Sequence, residues 1–209
     1  MPNHPLNVQD VRAEKPDSLV DIMELQRLST RLNSRLQVAT ECMTYAQLSP
    51  TVKELRVAMA EMRVESKPIK LVTSVGSCVA LCMHDSANKC GGLAHIMLPN
   101  SAIAPPDFLP CKFADTAVPA LAKAVRKICR KEGCLSAKIA GGANIFSNLN
   151  DNGLPIGVKN VKAVKTALDA NRISLVSEDV GGSYGRRIAF NIGSGDVTIR
   201  LSNGAIKKL

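Results

Sequence analysis

The sequence predicts a mixed α/β domain of largely antiparallel sheets with helices packed outside, preceded by a long N-terminal helix. Three observations carry this prediction. Apolar residues recur at threes and fours between Leu19 and Met43. After Pro50 the texture changes to short apolar runs separated by turn residues. Two further helical stretches are set among those runs, one after Asp115 and one after Asn160.

In chain order, residues 1–16 hold three Pro and no periodic pattern, and read as a mobile arm. Leu19, Ile22, Met23, Leu25, Leu28, Leu32, Leu36, Ala39 and Met43 then form one stripe. With Asp17 or Ser18 placed to cap it, the stripe predicts a helix over 17–48 that ends at Ser49-Pro50. Such an amphipathic helix packs on its own domain, on a second copy or on a partner helix. Residues 1–52 are thus an arm and a helix, and 53–209 a separate domain.

Within that domain, Leu55 through Val64 reads as one strand, closed by Ser66-Lys67-Pro68. Ile69–Thr73, Val79–Met83 and Leu93–Leu98 read as the next three, and the proline-rich 100–112 as a loop. Asp115 stands ready to cap a helix with Val118, Leu121, Ala122, Val125 and Ile128 on its buried face and Gly133 at its end. Lys138–Ala140 is a short strand running into Gly141-Gly142. A helix from Asn160 to Asn171 follows, then strands at Ile173–Val176, Arg187–Ile192 and Val197–Leu201.

Composition narrows the functional classes. The 209 residues are 45% hydrophobic and 22% charged, as in folded globular chains. Only 3% are aromatic, so the core must come from Val, Leu, Ile, Ala and Met. No window approaches the roughly 18 consecutive apolar residues of a membrane helix, and no apolar run follows a basic start at the N-terminus. The expected location is the cytoplasm, without membrane insertion. Seven Cys with no CxxC pair point to reduced thiols, most of them small buried hydrophobes. Residues 1–52 carry five Lys/Arg and six Asp/Glu, which leaves 22 and 12, a net +10, to 53–209. Those basic residues are scattered, with no zinc finger, aromatic RNA-binding motif or Lys/Arg block, which argues against nucleic acid as the partner.

Chemistry concentrates in residues 71–99, LVTSVGSCVALCMHDSANKCGGLAHIMLP. Asp85-Ser86-Ala87-Asn88-Lys89 is turn chemistry between two apolar runs, which predicts an antiparallel hairpin. A two-residue loop sets Cys78 opposite His95. A four-residue loop sets Cys78 opposite Met97, with His95 its diagonal neighbour. In either register the two share one face. A thiol beside an imidazole can lose its proton to the ring and become a nucleophile. Ser77 and Cys78 sit in a tight turn whose backbone N–H groups suit an oxyanion. Thr73, on the approach strand, can fix the imidazole tautomer, and Ser74 can substitute for it. Spacing alone favours reading Cys78 and Cys82 as core thiols and His95 as a buried, satisfied histidine. A metal site among Cys78, Cys82, His84, Cys90 and His95 finds no zinc-knuckle or HExxH spacing.

The segment resembles the CheD family of chemoreceptor glutamine deamidases. Gly76-Ser77-Cys78, Asp85, Gly91-Gly92 and Ala94-His95-Ile96-Met97-Leu98-Pro99 match its central signature. Lys112–Ala117, Lys138–Ala143 with Phe146, Ile156-Gly157 with Asn160-Val161, and Glu178–Gly182 match further motifs in family order. Arg56–Val64 resembles the family's first strand, with Ala58 and Ala60 where its members usually have glycine. The likeness spans roughly residues 53–209 and implies Cys78, His95 and Thr73 as catalytic residues, with Ser77 and Cys78 offering oxyanion donors. It implies conversion of receptor glutamine to glutamate through a Cys thioester, with glutamyl methyl ester hydrolysis as a related activity and no metal or organic cofactor. The implied partners are the cytoplasmic helices of chemoreceptors and a CheC-type phosphatase, with Gly141, Gly142 and Phe146 as the CheC-facing candidates. A non-catalytic CheC-binding module of the same fold is the alternative. The role of the helix over 17–48 lies outside the resemblance.

Overall fold

The computed structural model describes residues 52–102, 104, 105, 107–129, 133–145 and 154–209, together with residues 27, 30 and 31. Arg27, Thr30 and Arg31 are helical. The rest of the helix predicted over 17–48, like the arm before it and Phe146, lies outside the described residues.

Val52–Leu209 form one compact unit. Its strands are β1 (Glu54–Arg56), β2 (Met62–Glu65), β3 (Lys70–Val75), β4 (Val79–Asp85), β5 (Cys90–Ile96), β6 (Leu135–Gly141), β7 (Ser174–Val180), β8 (Arg186–Asn191), β9 (Val197–Leu201) and β10 (Ile206–Lys208). Its helices are α1 (Ala114–Ile128) and α2 (Ile156–Ala170), with a short 3-10 turn at Pro110–Lys112. One sheet runs β1-β3-β8-β9-β10 and the other β2-β5-β4-β6-β7. All strand pairs are antiparallel except β1–β3 and β6–β7.

Side-chain alternation sorts the two sheets into layers. Leu71, Val75, Ile188, Phe190 and Ile199 of the first sheet pack against Ala80, Cys82, Leu93 and Ala140 of the second. The other face of the second sheet, through Val79, Leu81, Met83, Ala94 and Ile96, packs on Val118, Leu121, Val125, Val164 and Leu168 of the helices. β4 and β5 are therefore covered on both faces, and every residue of both strands is buried. Double burial explains why they read as nearly continuous apolar runs rather than alternating ones. Aliphatic side chains dominate both cores, as the shortage of aromatics required.

Several sequence expectations are corrected. Leu55–Val64 is two strands, because the chain leaves the first sheet after Arg56 and joins the second at Met62. Ala60 makes this crossing in the left-handed region, at φ 59°. β5 ends at Ile96 rather than Leu98, because Met97 and Leu98 both donate their N–H groups to the Lys112 carbonyl. Asp115 lies inside α1, which starts at Ala114 with Phe113 at its N-cap, and its carboxylate instead accepts from the Ser101 N–H and hydroxyl. α1 ends at Ile128 rather than at Gly133, because Cys129 turns extended and forms a disulfide with Cys90. That bond also overturns the expectation that all thiols are reduced. α2 starts four residues before Asn160, at Ile156, behind Pro155. β10 is an exposed three-residue strand without an apolar signature.

Ala60 carries a cost. A Cβ in the left-handed region is disfavoured by roughly 1–2 kcal/mol, partly offset by the greater chain entropy that glycine loses on folding. Ala60→Gly should therefore stabilise the fold by about 0.5–1 kcal/mol, read as a raised midpoint in urea at unchanged slope.

Candidate active site

The β4–β5 register decides between the two hairpin readings. Asp85 pairs with Cys90, leaving the four-residue loop Ser86–Lys89. The Asp85 carboxylate organises that loop by accepting from the N–H groups of Ala87 and Asn88 and from Asn88 Nδ2. At the other end Val79 pairs with Ile96 and Ala80 with His95. Cys78, one residue before β4, therefore stands opposite Met97, with His95 diagonally across on the same face. Diagonal neighbours lie roughly 7–8 Å apart along the sheet, somewhat less at Cβ.

Thr73 reaches this face from the other sheet. Its hydroxyl donates to the Val57 carbonyl at 2.9 Å, and the same oxygen lies 2.8 Å from His95 Nδ1. A threonine hydroxyl has a single proton, and a carbonyl can only accept. With that proton committed to Val57, Thr73 must accept from His95, so Nδ1 carries the ring hydrogen. Neutral His95 therefore presents an unprotonated Nε2, which is buried with no hydrogen-bond partner among the described residues. Burial lowers the His95 pKa from its ordinary value and so favours the neutral ring.

Two thiols share the face. Burial raises the Cys78 thiol, while its own backbone N–H works the other way. Cys82 is fully buried, and desolvation, which outweighs the charge of Lys138, pushes its thiol up to about 12. Only Cys78, at the half-buried end of the strand, joins solvent access to a nearby imidazole. At rest both burial effects favour a neutral thiol and a neutral ring.

The turn bearing Cys78 is held peptide by peptide. The Gly76 carbonyl accepts from the Ala143 N–H and the Cys78 carbonyl from the Gly142 N–H, each at 2.8 Å. Between them, the Ser77 carbonyl accepts from Asn160 Nδ2 at 3.0 Å. Because a trans peptide directs its C=O and N–H to opposite sides, this last bond fixes the direction of the Cys78 N–H. The same Asn160 amide donates to the Met97 carbonyl at 2.8 Å, tying together the two strand ends that flank the site.

Gly141 and Gly142 are buried and belong to this clamp. They adopt φ of 125° and 64°, and a Cβ on them would strike the Cys78 carbonyl and Val161 respectively. Their expected place on a partner-facing surface is corrected accordingly. The exposed residues that follow are Asn144 and Ile145. Ser74, the expected substitute for Thr73, points outward from β3 and is exposed.

Asn160 escaped the sequence reading as a site residue. It lies on the buried stripe of α2 with Gly157, Val164 and Leu168, and is fully buried. A poor helix former at an apolar-stripe position was the available signal. A second missed feature is the buried Arg186–Asp179 ion pair. Arg186 also donates to the Gly181 carbonyl, and the Gly181 N–H to the Gly141 carbonyl, which braces the glycine loop from behind. Asp179 is held below the usual carboxylate range because hydrogen bonds and charge from Lys207 and Arg186 overcome the opposing effect of burial.

Among the described residues, the grouping that most resembles a metal-ligand set is Asp85, Cys90 and Cys129, whose two sulfurs are bonded to each other. No helix of the described residues is long and apolar enough to cross a membrane.

Comparison with known proteins adds a consistent result. The family model described as CheD chemotactic sensory transduction matches residues 97–201. A protein of Clostridium kluyveri named "Probable chemoreceptor glutamine deamidase CheD" is 41% identical over 161 residues, 76% of this chain and 99% of the relative. Proteins of the same name from Desulforamulus reducens and Clostridium acetobutylicum are 40% and 39% identical, over 74% and 76% of this chain and 94% and 96% of their own.

Two outcomes follow from the geometry. His95 titrates lower in the folded chain than in the unfolded one, so its contribution to stability is present above the unfolded pKa, near 6.5, and is lost as pH falls below it. Melting curves from about pH 7.5 down to about pH 5 should show a declining midpoint, and His95→Gln should flatten that decline. Asn160→Leu removes both amide donors and should cost about 1–3 kcal/mol by leaving the part-buried Ser77 and Met97 carbonyls without that partner, measured by urea unfolding.

Proposed function

The chain belongs to the CheD family, and on that premise we propose that it is a protein-glutamine deamidase of chemotaxis signalling, hydrolysing receptor glutamine side chains to glutamate and ammonia. The observation that best supports this reading is the single hydroxyl proton of Thr73. Its donation to Val57 leaves His95 Nε2 unprotonated on the face that Cys78 shares.

In the proposed reaction Cys78 Sγ attacks the carboxamide carbon as its proton passes to His95 Nε2. The carbonyl oxygen becomes an oxyanion held by the Cys78 N–H and the Ser77 N–H. Collapse breaks the C–N bond, and His95 returns the proton to the departing nitrogen, which leaves as ammonia. A thioester remains. His95 then takes a proton from water, hydroxide adds to the thioester carbonyl, and the thiol is regenerated with release of glutamate. The charged imidazolium is a transient of this cycle, which fits a ring whose burial favours its neutral form. Thr73 acts by holding the ring with Nδ1 as donor.

The same acyl chemistry accepts an alkoxide leaving group, so glutamyl methyl ester hydrolysis is a second proposed activity. The relatives are named for action on chemoreceptors, and receptor helices in the cytoplasm are the proposed substrate. A CheC-type phosphatase is the proposed protein partner.

The test is ammonia release from a purified receptor fragment, with mass spectrometry of the product to find the roughly one-dalton gain of amide-to-acid conversion. Cys78→Ala and His95→Ala are each expected to lower kcat by about a thousandfold or more. Thr73→Val should cause a smaller loss. Undiminished turnover by Cys78→Ala would refute the assignment.

A further inference from the structure

The outer face of the β1-β3-β8-β9-β10 sheet, which packs on neither helix, is basic. Register and alternation put Arg56, Lys70, Arg187, Arg200 and Lys208 on it, against the single carboxylate of Glu54. One row crosses three strands, with Ser74 facing Arg187 and Arg187 facing Arg200. Along this row lies a groove of about 540 Å³, lined by Ser74, Gly76, Ile145, Arg187, Arg200 and Ser202 among others. Gly76 belongs to its wall and begins the turn that carries Cys78, so one end of the groove reaches that turn.

Of the three arginines that line it, Arg186 is held by Asp179, and Arg187 and Arg200 are available to a ligand. Arg187 meets Glu54 at 3.3 Å, but both side chains are about half exposed. Exposed pairs of this kind contribute little and exchange readily. Arg200 has no ion-pair partner among the described residues. Neighbouring strands stand about 4.8 Å apart, close to the ~5–6 Å between side chains one turn apart on a helix. Two carboxylates a helical turn apart can therefore meet the two guanidinium groups together, each in the planar, charge-assisted geometry that arginine favours.

We infer that this groove seats an acidic segment of the protein substrate, with Arg187 and Arg200 pairing two carboxylates that stand one helical turn apart to one side of the target glutamine. This inference rests on the deamidase reading for its substrate, whereas the binding itself can be measured without turnover. Specificity for the glutamine then comes from the charge of its neighbours as well as from the amide.

The experiment uses the full chain carrying Cys78→Ala and a fluorescent peptide with one glutamine and, to one side of it, two glutamates a helical turn apart. Anisotropy should show binding that weakens about tenfold in Arg187→Glu/Arg200→Glu, and by less but in the same direction in Arg187→Gln/Arg200→Gln. Lys123→Glu/Lys127→Glu makes the same charge change on the exposed face of α1. It should leave affinity within about twofold at moderate salt. A peptide with serines in place of the glutamates should bind about tenfold more weakly and ignore the arginine variants. Equal weakening by both charge reversals, no weakening by the groove reversal, or preference for a single-stranded oligonucleotide over the peptide overturns the inference. With Cys78 restored, KM for the acidic peptide should rise in step with Kd at constant kcat. Absence of ammonia release from every peptide tells against the deamidase reading, while the binding comparison still decides the groove.

Discussion

One proton on one hydroxyl organises the candidate site. Thr73 can donate once, and it donates to Val57. The tautomer of His95 follows from that, because a threonine with a free proton would leave it undetermined. The arrangement needs three segments to meet at one point: the end of β1 with Val57, the middle of β3, and β5 of the opposite sheet. They meet because the chain crosses between the sheets immediately after Val57. The Ala60 N–H donates to the His95 carbonyl and the His95 N–H to the Glu61 carbonyl, so the crossing also fixes the backbone of the histidine it serves.

Preorganisation of the thiol side has a different origin. There the backbone is the working part, and three successive carbonyls of the Gly76–Cys78 turn each have a designated donor. Two donors come from the loop after β6, and one from a buried amide on α2. Such fixed dipoles cost no reorganisation when charge develops beside them, which is the condition under which they stabilise a transition state. The loop can come so close only because Gly141 and Gly142 have no side chain to collide with Cys78 and Val161. Behind it, Arg186 and Asp179 brace the glycine turn at 181–182, whose backbone in turn bonds the 141–144 loop.

Much of this was legible in the residues. The strands with buried, aliphatic runs were found, as was the hairpin, because turn chemistry and alternation constrain its register to two choices that share one face. The choice between those two depended on how many residues Asp85 could gather with its carboxylate, a local energetic matter that spacing does not settle. Both helices were found from their apolar stripes, but their ends were not. Asp115 looked like a cap and is a loop tether, and Cys129 leaves α1 to bond with a cysteine 39 residues earlier, which no local pattern announces. The single strand expected over 55–64 failed because an alanine stands where the left-handed crossing would favour glycine. In the sequence Asn160 reads as a helix start and part of a motif, not as a site residue. Its role depends on a contact 83 residues away in the chain.

The position of the Cys90–Cys129 bond has a further consequence for a chain that combines a half-buried sulfur at its candidate site with several others. Cys78 lies at one end of β4, and Cys90 pairs with the other end, at Asp85. Seven residues of extended chain separate those ends by roughly 23 Å, far beyond the ~7 Å Cα separation that a disulfide can span. Cys82, about 13 Å along the same strand, is likewise out of reach. Mispairing of Cys78 with Cys82 or Cys90 is thus prevented by strand stiffness alone, and either bond would require the sheet to open first.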